Sequence, residues 1–218
     1  MDTLRDLYSG KPEGYFANAR DGEVIPLLTR PADRALEIGC GEGATLAHMM
    51  QQGLVRWAAG IEIAPAAAEK AQARLDRVIV GNVENLADDD LPGDLDLILC
   101  LDVLEHLIDP WTAVRRLAAK LGPGGVLIAC IPNIRHLGTL GPLLLKGRFD
   151  YADAGTLDRG HLRFFTRASI RALFEEAGLR VGRIEAPVAG KSAIVNALTL
   201  GLARDLCAYR FLVRAERR

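Results

Sequence analysis

Glu37, Gly39, Gly41 and Glu62 carry the first chemistry legible in this chain of 218 residues. The apolar run Arg34–Ile38 leads straight into Gly39, Cys40, Gly41, Glu42 and Gly43, after which helical patterning begins. Glycines at the carboxyl end of a strand bring backbone N–H groups and bare backbone against a ligand, which is where open α/β sheets bind small molecules. Gly39, Gly41 and Ala44 also satisfy the dinucleotide spacing G-x-G-x-x-A, so the loop alone leaves a nicotinamide oxidoreductase open. Glu62 stands about one βα unit downstream, where a carboxylate accepts hydrogen bonds from both hydroxyls of a ribose. Glu37 discriminates between the readings. Beside the glycines its charge repels pyrophosphate and attracts a sulfonium or ammonium, unless an ion pair with a basic residue such as Arg34 neutralises it.

Four histidines, His48, His106, His136 and His161, are the groups that titrate near neutral pH and can take a proton from an acceptor hydroxyl. His48 falls on the first long helical stretch, and His106 follows the fourth β-like run. His136 and His161 lie in a long segment, 132–165, that escapes regular patterning.

These residues need a scaffold, and the alternation of short apolar runs with helical stretches supplies one. Strands are predicted at Arg34–Ile38, Ala58–Ile63, Arg77–Val80, Leu95–Leu101 and Val126–Ile131. Helices are predicted at Ala44–Gln52, Pro65–Leu75, Pro110–Leu121 and Arg167–Ala177. Two of these open on proline, the third stops at Gly122, and the fourth has Thr166 as N-cap and Gly178 just past its end. Two further β-like runs, Arg180–Pro187 and Tyr209–Arg217, flank a helical segment Ser192–Ala208 and could close the sheet's edge. The pattern is that of a doubly wound α/β domain with a mostly parallel sheet, one domain over 1–218. Residues 1–30 form a leader or cap, and 132–165 an insert of the length expected for a functional loop or lid.

The totals exclude several classes. A formal charge of -1, with acidic and basic residues interleaved, leaves no footprint for nucleic acid. Four cysteines, Cys40, Cys100, Cys130 and Cys207, lie in apolar or glycine-rich runs without metal spacing and read as reduced core thiols. The first residues lack the plan of a secretory signal, which points to the cytosol. The stretch Pro187–Ala203 is interrupted by Lys191, Ser192 and Asn196, so no membrane span is expected. Ala193–Leu206 presents apolar positions on several helix faces, as core, as a homodimer contact or as a shallow membrane contact, with core the simplest reading.

Five segments together resemble the class I S-adenosylmethionine (SAM)-dependent methyltransferases, in the subgroup whose core carries an LEH signature. Leu36–Gly43 is similar to the first motif, Gly60–Ile63 to the ribose-binding strand end, and Gly81–Leu86 to the adenine-contact turn. Asp94–Pro110 is similar to the fourth-strand motif, and Leu121–Asn133 to the turn and strand that follow. The resemblance runs over about residues 15 to 185, and five motifs in the right order are far more specific than one.

The resemblance implies a Rossmann-like seven-stranded sheet with one antiparallel strand near its edge, and SAM lying across the carboxyl ends of the first, second and fourth strands. Glu37, Gly39 and Gly41 would cradle the methionine part and Glu62 the ribose. Ile63 would pack on the adenine, Asn82 and Val83 would meet its polar edge, and Leu101 would offer backbone to the amino group. Asn82 departs from the Asp found in many relatives. Tyr15 and Arg20 resemble the leader residues that fold over the cofactor, against a plain reading as a surface aromatic and a solvated arginine.

Methylation follows as the implied activity, with S-adenosylhomocysteine as product and a small-molecule or glycan acceptor. Transfer to a hydroxyl is favoured. In the sugar and natural-product O-methyltransferases that the chain resembles, a His near position 106 serves as base, with His161 the second candidate. The structural alternative is that Glu105 and His106 cap and orient their loop, since the same signature occurs in members that methylate nitrogen or carbon. The insert resembles a bacterial subgroup associated with cell-surface polysaccharide genes. It carries Arg135, Arg148, Asp150, Tyr151, Asp158, Arg159, Arg163 and Phe165, a mix suited to a polar acceptor; alternatively Asp158, Arg159 and Arg163 pair to pin it, over Phe164 and Phe165. No metal is expected, with Asp102 the one opening for it. A non-catalytic SAM-binding domain would carry the same cofactor residues.

Overall fold

The computed structural model describes residues 14 and 16–218. Seven strands form one sheet in the order β3-β2-β1-β4-β5-β7-β6: β1 Ala32–Ile38, β2 Val55–Glu62, β3 Arg77–Val80, β4 Leu95–Leu101, β5 Leu121–Pro132, β6 Leu179–Glu185 and β7 Arg210–Arg217. The pairs from β3 across to β5 are parallel, and β7 runs antiparallel between β5 and β6. The expected doubly wound α/β architecture is present, with the antiparallel strand one place in from the edge.

Two buried layers cover the sheet, and the strands show why. In β4, Leu97 and Leu99 face one layer while Ile98 and Cys100 face the other, the two-residue alternation of a strand covered on both sides. The first layer receives α4, Pro110–Lys120, through Val114 and Leu117, and α6, Arg167–Glu176, through Ile170, Leu173 and Phe174. The second receives the short α1, Asp21–Val24, through Val24, and α2, Ala44–Gln51, through Leu46 and Met49. Ala71 of α3, Pro65–Gln72, packs in the same layer. All four cysteines are buried and free.

Helix ends follow local chemistry. Asp109 caps α4 by accepting the N–H of Thr112 at 3.0 Å, and Pro110 occupies the first helical position. Thr166 caps α6 reciprocally with Ser169, and Gly178 takes a φ of +82° just past its end. Gly122 does not stop α4 as expected. Leu121 already leaves the helix with extended backbone and opens β5.

Three further differences concern the site's surroundings. The insert is not structureless: α5, Leu137–Lys146, forms inside it despite Pro142. The helix expected over Ser192–Ala208 is two, α7 Lys191–Leu198 and α8 Arg204–Cys207, separated where Leu200 adopts a φ of +51°. Residues 192–198 of α7 include none that is buried, so this segment is not core.

Candidate active site

β1 and β2 run side by side with Glu37 opposite Gly60, and their carboxyl ends place two buried carboxylates under the glycine loop. Gly39, Gly41 and Gly43 all have left-handed φ, +66°, +55° and +76°. At Gly41 a Cβ would lie 2.6 Å from the carbonyl oxygen of Phe16, and at Gly39 one would lie 2.7 Å from the Val103 side chain. The loop therefore needs glycine for its turn and for close approach of its neighbours.

Beside it opens a crevice of about 270 Å³. Glu37, Ile38, Gly39, Cys40, Gly41 and Thr45 line it from β1, the glycine loop and α2, and Ile61, Glu62 and Ile63 from β2. Gly81, Asn82 and Val83 line it after β3, and Leu101, Asp102, Val103, His106 and Leu107 after β4. Phe16, Asn18 and Arg20 close it from the leader. Every expected cofactor residue among those described lines this crevice; Tyr15 lies outside the described residues.

Glu62 is held in place: its two carboxylate oxygens accept the N–H groups of Gly41 and Ala64, each at 2.8 Å. Burial pushes its carboxyl up in pKa, and these backbone donors oppose the shift. Glu37 is pushed further, to about 8, by burial, with Thr45 and Arg20 as partial compensation. Its Oε2 is buried without a hydrogen-bond partner. Arg34 does not neutralise it, since that guanidinium stacks on Trp57, 4.1 Å from the ring centre. A buried carboxyl with an orphan oxygen beside a glycine cradle fits the ammonium and sulfonium end of SAM.

Asn82 accepts the N–H of Glu84 at 3.0 Å through Oδ1, so its amide NH₂ is the group left to face a ligand. Arg20 reaches the crevice, but its guanidinium already donates to Asp102 and to both oxygens of Glu23, at 3.3 and 3.0 Å. Arg210 joins from β7, 3.3 Å from Glu23 and 3.8 Å from Asp102. Asp102, with a φ of +57°, is thus tied to two arginines rather than placed for a metal. Sequence reading missed Phe16, Asn18 and Thr45 as lining residues. Phe16 accepts the Glu42 N–H at 3.0 Å through its carbonyl, and the Thr45 hydroxyl accepts the Arg20 N–H at 3.2 Å.

The Leu104–His106 segment is a 3-10 turn onto which the end of the insert folds. The Glu105 carbonyl accepts the N–H groups of Leu162 and Arg163 at 2.8 and 3.0 Å. His106 and His161 meet edge to face, ring centres 4.6 Å apart. Nδ1 of His106 lies 2.9 Å from the Gly160 carbonyl and Nδ1 of His161 lies 3.0 Å from the Thr156 carbonyl. A carbonyl only accepts, so each Nδ1 carries a proton, which leaves Nε2 as the acceptor nitrogen whenever the ring is neutral. Burial, with His161 adding to it, pushes His106 down to about 4.

Glu105 is almost wholly buried behind them, neither oxygen hydrogen-bonded, with Oε1 4.0 Å from Nε2 of His161. Ligand atoms of Glu105, His106 and His161 lie within 4.8 Å of one another, the arrangement among the described residues that could hold a metal ion. His106 lines the crevice, whereas His161 stands behind it. His48 stays on the surface of α2 against Asp21, and His136 caps α5 by accepting the Gly138 N–H at 3.2 Å.

The insert's last residues are pinned, by partners other than those expected. Arg159 pairs with Asp153 at 2.5 Å, Asp158 accepts the Gly160 N–H at 2.7 Å, and Arg163 donates to the Ile108 carbonyl. Phe165 is buried in the core as expected. A second hollow, about 360 Å³, lies between Tyr209 and insert residues including His136, Arg148, Asp150 and Thr156.

A family model described as a methyltransferase domain matches residues 16–183. The ubiquinone biosynthesis O-methyltransferase of Xanthomonas campestris pv. campestris (strain B100) is 34% identical over 145 residues, 60% of this chain and 59% of that protein. The chain thus spans under two thirds of that relative's length. Among solved structures, a SAM-dependent methyltransferase from Archaeoglobus fulgidus superposes with a TM-score of 0.67 at 18% identity, covering 94% of this chain and 97% of the other. The N-methyltransferase NodS from Bradyrhizobium japonicum WM9, solved with S-adenosylhomocysteine, gives 0.63 at 17% identity over 99% and 96%. With the family model covering the cofactor crevice and most of the sheet, the chain belongs to the methyltransferase-domain family, and its sheet has the fold of the SAM-dependent methyltransferases.

Proposed function

We propose that this chain methylates a hydroxyl group of a small-molecule or glycan acceptor, with His106 receiving the proton. The carrying observation is His106 itself, which lines the cofactor crevice with Nδ1 fixed on the Gly160 carbonyl. The name of the Xanthomonas relative, an O-methyltransferase, supports the choice of oxygen.

SAM, when bound, supplies an electrophilic methyl group on a positively charged sulfur. Glu37, Gly39 and Gly41 would hold its methionine part, Glu62 the ribose, Ile63, Asn82 and Val83 the adenine, and Leu101 the amino group through backbone. With SAM bound, the acceptor oxygen would be the nucleophile, and Nε2 of His106 would take up the proton it loses on methylation. The hydroxyl becomes strongly acidic only as it is methylated, so His106, held down to about 4 by burial, would be neutral near pH 7 and would take up that proton. His161 is a positioning residue in this scheme, setting the face of the His106 ring. Arg148, Asp150 and Tyr209 around the insert's hollow suit a hydroxyl-rich acceptor.

The test is S-adenosylhomocysteine formation across a panel of phenols, sugars, nucleotide-linked sugars and amines. Turnover confined to hydroxyl acceptors is expected. Turnover of amines with every hydroxyl silent would reject the proposal.

A further inference from the structure

Among the described residues, the tips of two segments leave leucines largely in water. In α5 and its exit, residues 142–148 are all exposed, Leu145 at 85%. In α7 and the turn after it, Leu198 is 81% exposed, Leu200 92% and Leu202 93%. Ile194 and Leu198, four residues apart, share one face of α7. An eight-residue helix with no burial over residues 192–198 is too short to hold itself together in water, which calls for a covering surface. Leu200 also holds a left-handed φ of +51°, a strained backbone for a leucine and one that keeps the tip turned outward.

The charge around these tips identifies the covering surface. Residues 132–149 and 186–204 together contain five Lys and Arg, namely Arg135, Lys146, Arg148, Lys191 and Arg204, and no Asp or Glu. The chain as a whole carries -1. Asp150, just beyond, pairs with Arg148 at 2.5 Å, which leaves an excess of positive charge. Leucines interleaved with cations and free of carboxylates match an interface of acyl chains under anionic headgroups.

Both tips rise from one place in the fold. Pro132, at the end of β5, pairs with Arg210, and Glu185, at the end of β6, pairs with Leu212, so α5 and α7 leave the sheet at the same carboxyl-end rim. The Asn133 amide ties the start of the insert to α8, donating to the carbonyls of Asp205 and Ala208 at 2.6 and 2.8 Å. The cofactor crevice opens at that rim.

We propose that α5 and the α7 turn dock this protein on an anionic lipid bilayer, their leucine tips entering the headgroup layer without spanning it. No helix among the described residues is long and apolar enough to cross a membrane. The docking stands independently of which atom is methylated.

Co-sedimentation of the full chain with phosphatidylcholine vesicles, with and without phosphatidylglycerol, tests it. The comparison is a variant carrying Leu144→Ser, Leu145→Ser, Leu200→Asn and Leu202→Ser. These side chains are exposed, Asn suits the left-handed position, and unchanged SAM affinity verifies that the variant is folded. The parent should bind phosphatidylglycerol vesicles at least ten-fold better than phosphatidylcholine alone, and the variant should lose at least ten-fold of that binding. Absent binding, equal binding to both vesicles, or binding that the substitutions leave unchanged overturns the proposal. A dimer in light scattering that becomes monomeric in the variant, with no vesicle binding by the parent, overturns it in favour of a second copy of the chain.

Discussion

His106 and His161, 55 residues apart in sequence, stand with ring centres 4.6 Å apart, each with Nδ1 tied to a backbone carbonyl. The insert therefore fixes the tautomer of the histidine that faces the crevice. Replacing His161 with Ala would leave His106 bonded to Gly160 but unsupported on one face. The expected result is a kcat about 10-fold lower, with SAM affinity within a factor of two, because position rather than chemistry is lost. The neighbour also holds the His106 pKa down, so the acid limb of the kcat profile should move upward in pH. A profile that keeps its shape would reduce His161 to a packing role.

Glu62 binds the glycine loop and the start of the next helix at once through Gly41 and Ala64. Hydrogen bonds to a charged group contribute about 1.5–3 kcal/mol each, so Glu62→Ala should weaken SAM by about 100-fold or more in calorimetric titration. Retained affinity would mean that the ribose lies elsewhere.

Glu37 makes the cofactor's affinity depend on pH. Its carboxyl is at about 8 in the free protein, so near pH 7 it is largely protonated and a cationic ligand must displace that proton. Affinity for SAM should rise with pH up to about 8 and level off above. Titrations in buffers of different ionisation enthalpy should show a proton released. The sign for stability is opposite: the folded state keeps this proton above the usual carboxylate range, so ligand-free stability should fall as pH rises from about 4.5 to 8. Glu37→Gln should flatten both dependences, and a Gln variant with the parent's pH response would assign the proton to another group.

The places of Glu37, Glu62 and the glycines along the crevice are legible in the sequence because each follows from the residue's own strand end, where local patterning fixes side and position. The partners of Asp102 are not: Arg20 is 82 positions away and Arg210 farther still. The start of β2 at Val55 was hidden by Arg56, which breaks its apolar run. Gly138, Gly141 and Pro142 disguised α5, whose helix forms in spite of them. The break after α7 depends on a left-handed leucine, a conformation that no propensity anticipates. Likewise, nothing local in Leu104–His106 announces that Glu105 points away from water toward His161.

Gly41→Ala should destabilise the loop and the leader together. A left-handed alanine costs about 1–2 kcal/mol, and its Cβ would press on the Phe16 carbonyl. In a chain of this size each kcal/mol lowers Tm by about 2–4 °C, so a fall of several degrees is expected in calorimetry, with SAM binding weakened. An unchanged Tm would show that the leader does not pack on the loop.

Glu105, His106 and His161 offer a borderline ion such as zinc an unintended seat. Transfer without a metal predicts full activity after chelation by EDTA and inhibition by added zinc, relieved by EDTA. Activity lost on chelation and restored by a divalent ion would make the three groups a functional metal site.

The role of His106 is tested most directly by His106→Ala, with SAM affinity by calorimetry and turnover measured on the same preparation. General base catalysis of this kind contributes about 10²–10⁴-fold, so kcat should fall by that factor while the SAM dissociation constant stays within about three-fold. Turnover near the parent's, or loss of SAM binding alongside activity, would contradict the assignment and leave His106 a support for its loop.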